Sequence, residues 1–299
     1  MIIIYTKGVI LNNKKHLSII NKAVQNELIK YKDSVLLCNP YFLNPFIFLD
    51  GYISPKYIID TIIETDYESN YICSLSFDFG FITELMANGF FVKTIRLALT
   101  SNEIFTDTKG EINEILNTFN TKYNRKEELK YVCNYFSFNF DKIRQIINLN
   151  KPIYIGKTNR RLIKKYELCI DKDLDIILEN CVKYHGSAWI TPMFIELIRN
   201  INKLNYNIRI KTFGIYQNGE LKAGEFGVVS GKIYTSYSGY YEKSSAGNIQ
   251  MIMMLQYLQD NGFTYCDMGG TVKIYEYKYK LGAENMTRKE YAEIYSSNQ

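Results

Sequence analysis

Few residues in this chain are equipped for chemistry, and their scarcity narrows the reactions open to it. Two histidines and six cysteines occur in 299 residues, and the cysteines (Cys38, Cys73, Cys133, Cys169, Cys181, Cys266) stand far apart with no C-x-x-C pair. That pattern argues against a zinc cage and a disulfide scaffold, and it fits buried thiols in a reduced, cytoplasmic setting. His185 has no Ser, Cys or carboxylate motif beside it, so it reads as a structural or solvent-facing residue rather than a general base. Lys157, Arg160, Arg161, Lys164 and Lys165 form a basic cluster, which as charge alone is a solvated face. In Tyr275–Lys280, Lys278 or Lys280 could meet phosphates while Tyr277 stacks on a base; an amphipathic basic helix fits the same residues equally. Asp267, read alone, is a strand-end carboxylate before Gly269-Gly270.

The composition sets wider bounds. Hydrophobic residues make up 46% of the chain, with 5 prolines, which excludes a disordered or collagen-like polymer. No apolar run approaches the ~18 residues needed to cross a bilayer, and Met1–Ile4 lacks the flanks of a secretion signal, so no membrane partner is expected. The net charge of +5 is too mild to identify a polyanion partner by itself. With 26 tyrosines and 17 phenylalanines beside one tryptophan, a single tyrosine carries little information.

The elements that must position these residues alternate along the first half. Helical spacing covers Leu17–Leu28, a short apolar stretch follows at Val35–Cys38, and Ser54-Pro55 opens a helix in cap-then-proline order. Tyr71–Leu75 reads as a strand, Asp78 as the cap of a helix closed by Gly89, and Phe90–Leu99 as extended. Ser101–Arg125 is polar and Asn-rich and reads as a loop or insertion. In the second half, Tyr166–Ile170 is a strand, Asp171 caps one helix and Thr191-Pro192 opens another. Arg209–Gln217, Leu221–Val229 and Lys232–Tyr240 are strands joined by tight turns at Asn218-Gly219 and Ser230-Gly231. A helix through Ile249 and Leu258 then ends at Asn261-Gly262, before a last strand, Phe263–Met268.

Three antiparallel strands, a helix and a returning strand form the core order of GNAT-type N-acyltransferases. The fold class expected is therefore α/β (α+β), with a GNAT-like mixed, largely antiparallel sheet flanked by helices and a smaller N-terminal α/β domain. The expected division is 1–99, a variable connecting region 100–150, and a GNAT-like domain 151–299. Ser244–Asn248 sits where acetyltransferases hold pyrophosphate, yet it lacks their Gln/Arg-x-x-Gly-x-Gly/Ala pattern. That argues against coenzyme A as donor.

Three blocks resemble the leucyl/phenylalanyl-tRNA–protein transferase family. They are Leu75–Phe91, Gly186–Thr191 (G-S-A-W-I-T), and Gly219–Ala283 with its N-G-F-T-Y-C-D-M-G and L-G-A segments. The resemblance implies a cytoplasmic enzyme that moves an amino acid of the Leu/Phe type from charged tRNA to the N-terminal α-amine of an acceptor protein, marking it for degradation. The chemistry is aminolysis of an activated ester, with no metal and no cofactor. Asp267 falls on the carboxylate of the family's Asp-Cys-Gln segment, which implies a catalytic role in orienting the amine or relaying its proton. Trp189 falls on the family's active-site tryptophan. Substrate is expected along Tyr237, Ser238 and Tyr240, with Gly269 and Asn248, and the tRNA that the resemblance implies is expected to suit the cations Lys157, Arg160, Arg161, Lys164, Lys165, Lys278 and Lys280 by their charge.

Three positions depart from the family. Tyr237 replaces its acceptor-binding Glu, Gly269 its Gln, and Lys93 a Trp. Glu225 could supply a substitute catalytic carboxylate, but a two-residue loop at Ser230-Gly231 pairs it with Ser236 and points it away from Tyr237 unless a bulge intervenes. Three alternatives stand beside the first reading. They are a Fem-like aminoacyltransferase, an acetyl-CoA-dependent enzyme, and an inactive relative that binds tRNA or protein N-termini. The transferase reading requires the sheet to open beside Asp267 into a cleft for an esterified adenosine and an amine.

Overall fold

Turn and cap chemistry in the second half of the sequence folds into a seven-stranded sheet. A computed structural model of the chain describes residues 2–3, 47–49, 54–64, 66, 71–74, 78–99, 131–186, 189–203, 206–270 and 276–298. The helix expected at Leu17–Leu28, the stretch Val35–Cys38 and the loop Ser101–Arg125 lie outside the described residues.

The chain divides into two compact units, 1–77 with 93–139, and 78–92 with 140–299. The first holds strands β1 (Ile2–Ile3), β2 (Ile47–Leu49), β3 (Tyr71–Ser74), β4 (Phe91–Leu99, from residue 93) and β5 (Tyr131–Asn139), in the order β1-β2-β3-β5-β4. Its helix α1 (Pro55–Glu64) starts at the expected proline and buries Ile58, Ile59 and Ile62.

The second unit begins with helix α2 (Phe79–Ala87), where the Asp78 carboxylate accepts from the Phe81 N–H at 3.0 Å, as the cap signal predicts. It continues through β6 (Ile143–Asn148), α3 (Lys157–Ile163), β7 (Glu167–Ile170), α4 (Leu174–His185) and α5 (Pro192–Ile201). Strands β8 (Ile208–Gln217), β9 (Glu220–Ser230) and β10 (Ile233–Tyr241) follow, then α6 (Ser244–Asp260) and β11 (Tyr265–Gly270). The last elements are α7 (Tyr277–Lys280), β12 (Ala283–Thr287) and α8 (Arg288–Ser297).

Their sheet runs β12-β6-β11-β10-β9-β8-β7, antiparallel except for β10 and β11, which are parallel. A parallel return needs a crossover, and α6 supplies it. This is the mixed, largely antiparallel α/β architecture that the element order predicts. The N-terminal boundary differs from expectation, because residues 78–92 and 140–149 belong to the larger unit. Strand β6 pairs with both β11 and β12, so 140–149 is sheet rather than connector. Helix α2 is tied to the same unit through the Ser230 hydroxyl, which donates to the Ala87 carbonyl at 2.8 Å.

Alternation along β9 sorts the layers. Gly224 and Phe226 face α4 and α5, where an added Cβ at Gly224 would meet Ile177 at 2.9 Å and Phe226 lies near Phe194. Glu225 faces the opposite layer, built on α6. Beneath α6, Met251, Ile252, Met254, Leu255 and Leu258 pack with Phe213, Tyr234, Cys266 and Leu281 into a buried cluster.

Three local expectations shift. The Asn218-Gly219 hairpin forms with both residues at positive φ, as a type I′ turn requires. The next turn lies one residue later than expected, at Gly231-Lys232, because Ser230 still pairs with Ile233. Asp171 does not cap α4. Its carboxylate accepts from the Thr212 N–H and the Lys211 ammonium instead, and Asp173 takes the position before the helix.

Candidate active site

Strands β10 and β11 pair through Ile233↔Tyr265, Tyr234↔Cys266 and Thr235↔Asp267, and there the pairing ends. Both are irregular beyond that point. Strand β10 bulges between Ser236 and Ser238, and β11 changes register with β6 between Asp267 and Gly270. Bulges end pairing and re-aim side chains, and they concentrate beside functional sites. The parting is therefore centred on Asp267 and Tyr237.

The Asp267 carboxylate does not face solvent. It is fully buried and is held by the Arg144 guanidinium, a backbone N–H and the Tyr291 hydroxyl. Oδ1 accepts from Arg144 Nε at 3.2 Å and from the Gly269 N–H at 2.8 Å. Oδ2 accepts from Arg144 Nη2 at 2.5 Å and lies 2.9 Å from the Tyr291 hydroxyl, whose single proton is shared with the Gly89 carbonyl at 2.6 Å. Three N–H donors and a shared hydroxyl proton thus engage most of the roughly four acceptor positions that a carboxylate offers. Through these bonds Asp267 ties β11, β6 and α8 together at the parting. Arg144 carries a second carboxylate, Asp141, at 2.7 Å, and its guanidinium lies 5.0 Å from the Tyr291 ring centre. Burial works to lower the Arg144 pKa, but Asp267, Tyr291 and Asp141 hold it well above its ordinary value.

Glu225 sits on the other face. It pairs with Gly239 rather than Ser236, because a turn one residue later moves its partner by two positions and the bulge at Tyr237 by one more. Its oxygens accept from the Tyr234 hydroxyl at 3.1 Å and from Gln250 Nε2 of α6 at 3.3 Å. Burial pushes its pKa up to about 7, against the opposing pull of Ser236, Tyr234, Gln250 and the Lys278 charge. Tyr237 points to the layer of Phe91 and Phe194, so Glu225 does not stand in for a carboxylate at that position.

Trp189 and Tyr237 are brought together by shared neighbours. The Tyr237 ring stacks on Phe91 at 4.3 Å, and Phe91 lies 6.1 Å from Trp189. Phe194 touches both rings, and the Tyr237 hydroxyl accepts from the Val92 N–H at 3.0 Å. Ser238 and Tyr240 are buried farther along β10, and the His185 ring Nε2 donates to the Gly239 carbonyl between them at 2.7 Å. His185 is thus a strut between α4 and β10.

Of the residues expected to meet tRNA, Lys157, Arg160, Arg161, Lys164, Lys165 and Lys280 lie at the surface. Those of α3 adjoin the start of α6, where Asn248 donates to Asn159 at 3.3 Å. Lys278 is a correction. It is 6% exposed and donates to the Met268 carbonyl, because the short helix α7 turns it inward while Tyr277, Tyr279 and Lys280 stay outside. Gly269 has φ +84°, a conformation that favours glycine over the family's Gln.

Sequence reasoning missed Arg144, Asp141, Gln250, Tyr291 and Tyr295. Arg144 stood among Ile143, Ile146 and Ile147 in a segment expected to be variable, and a charge inside an apolar strand was the available signal. Tyr291 and Tyr295 share a face of α8 by their spacing, behind the Thr287–Glu290 capping box.

Comparison with known proteins places this geometry. A leucyl/phenylalanyl-tRNA–protein transferase of Maridesulfovibrio salexigens is 23% identical over 151 residues, covering 48% of this chain and 60% of the relative. One from Campylobacter lari is 25% identical over 143 residues, covering 48% and 63%. The matched region thus spans less than two thirds of these relatives' own lengths. Among solved structures, FemX aligns over 82% of this chain and 78% of its own at 10% identity and a TM-score of 0.40, too distant to bear on activity. The profile described as leucyl/phenylalanyl-tRNA protein transferase matches residues 146–296, just over half of the sequence, and contains the whole β8–β11 core with Asp267. By that match the chain belongs to the leucyl/phenylalanyl-tRNA protein transferase family.

Proposed function

We propose that this protein transfers an amino acid, of the bulky apolar Leu/Phe type, from charged tRNA to the N-terminal α-amine of an acceptor protein. The observation that carries the reading is the parting of β10 and β11 beside Asp267, inside the segment matched to the family. Strands that part and re-aim their side chains at such a point suit an ester held against an amine. The ester is already activated, so orientation of the two reactants and stabilisation of the oxyanion supply the acceleration. Trp189, Phe91 and Tyr237 offer an aromatic wall on one face of β10. The surface cations of α3, beside the first turn of α6, suit the acceptor stem of tRNA through backbone charge rather than sequence. Such a transfer would take place in the cytoplasm, where charged tRNA is made, and would mark its acceptor for degradation.

A second reading has its own support. The buried, ion-paired Asp267, the buried Tyr237 in place of a carboxylate and the missing side chain at Gly269 fit a relative that binds tRNA or N-termini without transfer. One experiment separates the two. Purified protein is mixed with radiolabelled leucyl- and phenylalanyl-tRNA and peptides of varied N-terminal residue, with acetyl-CoA in a parallel reaction. Label in the peptide from charged tRNA is the expected result. Binding of charged tRNA with no label moved would establish the second reading, and acetylation would replace the donor.

A further inference from the structure

Among the described residues Lys278 is the one buried lysine, and it lies where the two central strands part. Its ammonium group donates to the carbonyl of Met268, one residue beyond the last β10–β11 pair. The next residue, Gly269, has no side chain. A Cβ built there would meet a single heavy atom within 4 Å among the described residues, apart from its chain neighbours, and that atom is the Lys278 Nζ at 3.9 Å. Among the described residues, the bare Gly269 position is therefore bordered by an amine. Asp267, whose charge acts on Lys278, is already engaged by the Arg144 guanidinium and the Gly269 N–H.

Resting on the transferase reading, we propose that Lys278 is the catalytic residue that moves the proton between the attacking amine and the departing adenosine oxygen. As the C–N bond forms, the neutral Lys278 amine accepts a proton from the acceptor nitrogen. As the ester C–O bond breaks, the same proton passes to the 3′-oxygen, which leaves as a hydroxyl. Lys278 ends as it began, and no other reactant is consumed.

The surroundings suit this exchange. Burial is the main influence and brings the Lys278 pKa down to about 8. Asp267, Asp141 and Cys266 pull it up, while Arg144 pushes it further down, and Glu225 faces it from β9. A free α-amine titrates at about 7.7–8.0, so proton exchange between the two is nearly balanced, the condition under which acid–base catalysis is most efficient.

Single-turnover transfer from preformed charged tRNA to an N-terminal peptide tests the assignment between pH 6 and 7.5. Two groups must then be neutral in the wild type, the acceptor amine and Lys278, so log rate rises with a slope of about two. Lys278→Met is expected to lower the rate roughly 100-fold or more, keep charged-tRNA affinity within a few-fold, and reduce the slope to about one. Lys278→Arg is expected to fail as well, because a guanidinium does not release its proton. A Lys278→Met rate within three-fold of wild type would overturn the proposal, and so would full activity in Lys278→Arg, which would mean that a fixed charge suffices. The wild-type slope decides the matter even if the variants do not fold, since a slope of one removes the second titrating group. A folded wild type that transfers from no charged tRNA would instead bring down the transferase reading, a different result from any of these.

Discussion

Two buried carboxylates meet opposite fates in this protein. Asp267 shares a bidentate ion pair with Arg144 and accepts from Tyr291 and a backbone N–H, whereas Glu225 has only neutral donors on its oxygens and a cation acting at longer range. Neutralising one partner of a buried pair costs roughly 3–5 kcal/mol when it strands a charge, and because Arg144 keeps Asp141 at 2.7 Å the low end of that range applies. Asp267→Asn should lower unfolding stability by about that much in a urea titration, and a loss below about 1 kcal/mol would mean the pair is not holding β11 and α8. Glu225 gives a pH signature. Its folded pKa, about 7, lies above the value of 4.5 expected unfolded, so the folded state binds the extra proton between those limits. Stability from this group is present below pH 4.5 and is lost as pH rises to 7, by roughly 3 kcal/mol for a shift of this size. Glu225→Gln should flatten that part of the stability–pH curve. An unchanged slope would show that Glu225 is not the group titrating there.

At the scale of elements, α8 is the support on which the site depends. It begins with a reciprocal capping box in which the Thr287 hydroxyl accepts from the Glu290 N–H and the Glu290 carboxylate accepts from the Thr287 N–H at 2.8 Å. From that start the helix presents Tyr291 to Asp267 and to the Gly89 carbonyl, and Tyr295 to Thr235 at 2.6 Å. Removing such a cap costs about 1 kcal/mol. Thr287→Ala should therefore lower stability by about that amount, and it should increase hydrogen exchange in residues 288–291 more than in α6. Uniform exchange across both helices would separate the cap from the site. The β10 bulge is the other decisive element, because a single extra residue places Tyr237 with Phe91 and leaves Glu225 facing α6.

For the whole molecule, charge distribution matters more than net charge. The excess of +5 is modest, but α3 and the residues after it present five cations without an ion pair to an acid among the described residues. If α3 receives tRNA phosphates, reversing Arg160, Arg161, Lys164 and Lys165 to Glu should weaken charged-tRNA binding and flatten its dependence on salt, by roughly 0.7–0.9 in slope for each phosphate no longer neutralised. Equal slopes in the two proteins would remove this face from the binding surface.

Much of the architecture was legible before folding, because local signals act through neighbouring residues. The Asp78 and Thr191 caps, the Asn218-Gly219 turn and the strand–helix–strand order of the second half each follow from backbone chemistry within a few positions. Three family blocks likewise pointed to Asp267 as a residue of interest. What the sequence could not determine was the environment of that residue. Arg144 lies 123 residues away and Tyr291 lies 24 away, and the β6–β11 pairing and the docking of α8 bring them together around it. The inward turn of Lys278 and the register of Glu225 belong to the same class, since burial and cross-strand position are properties of the assembled sheet. Local sequence chooses the elements; whether a charged side chain ends in water, in an ion pair or against a bare glycine is decided only when distant elements close around it.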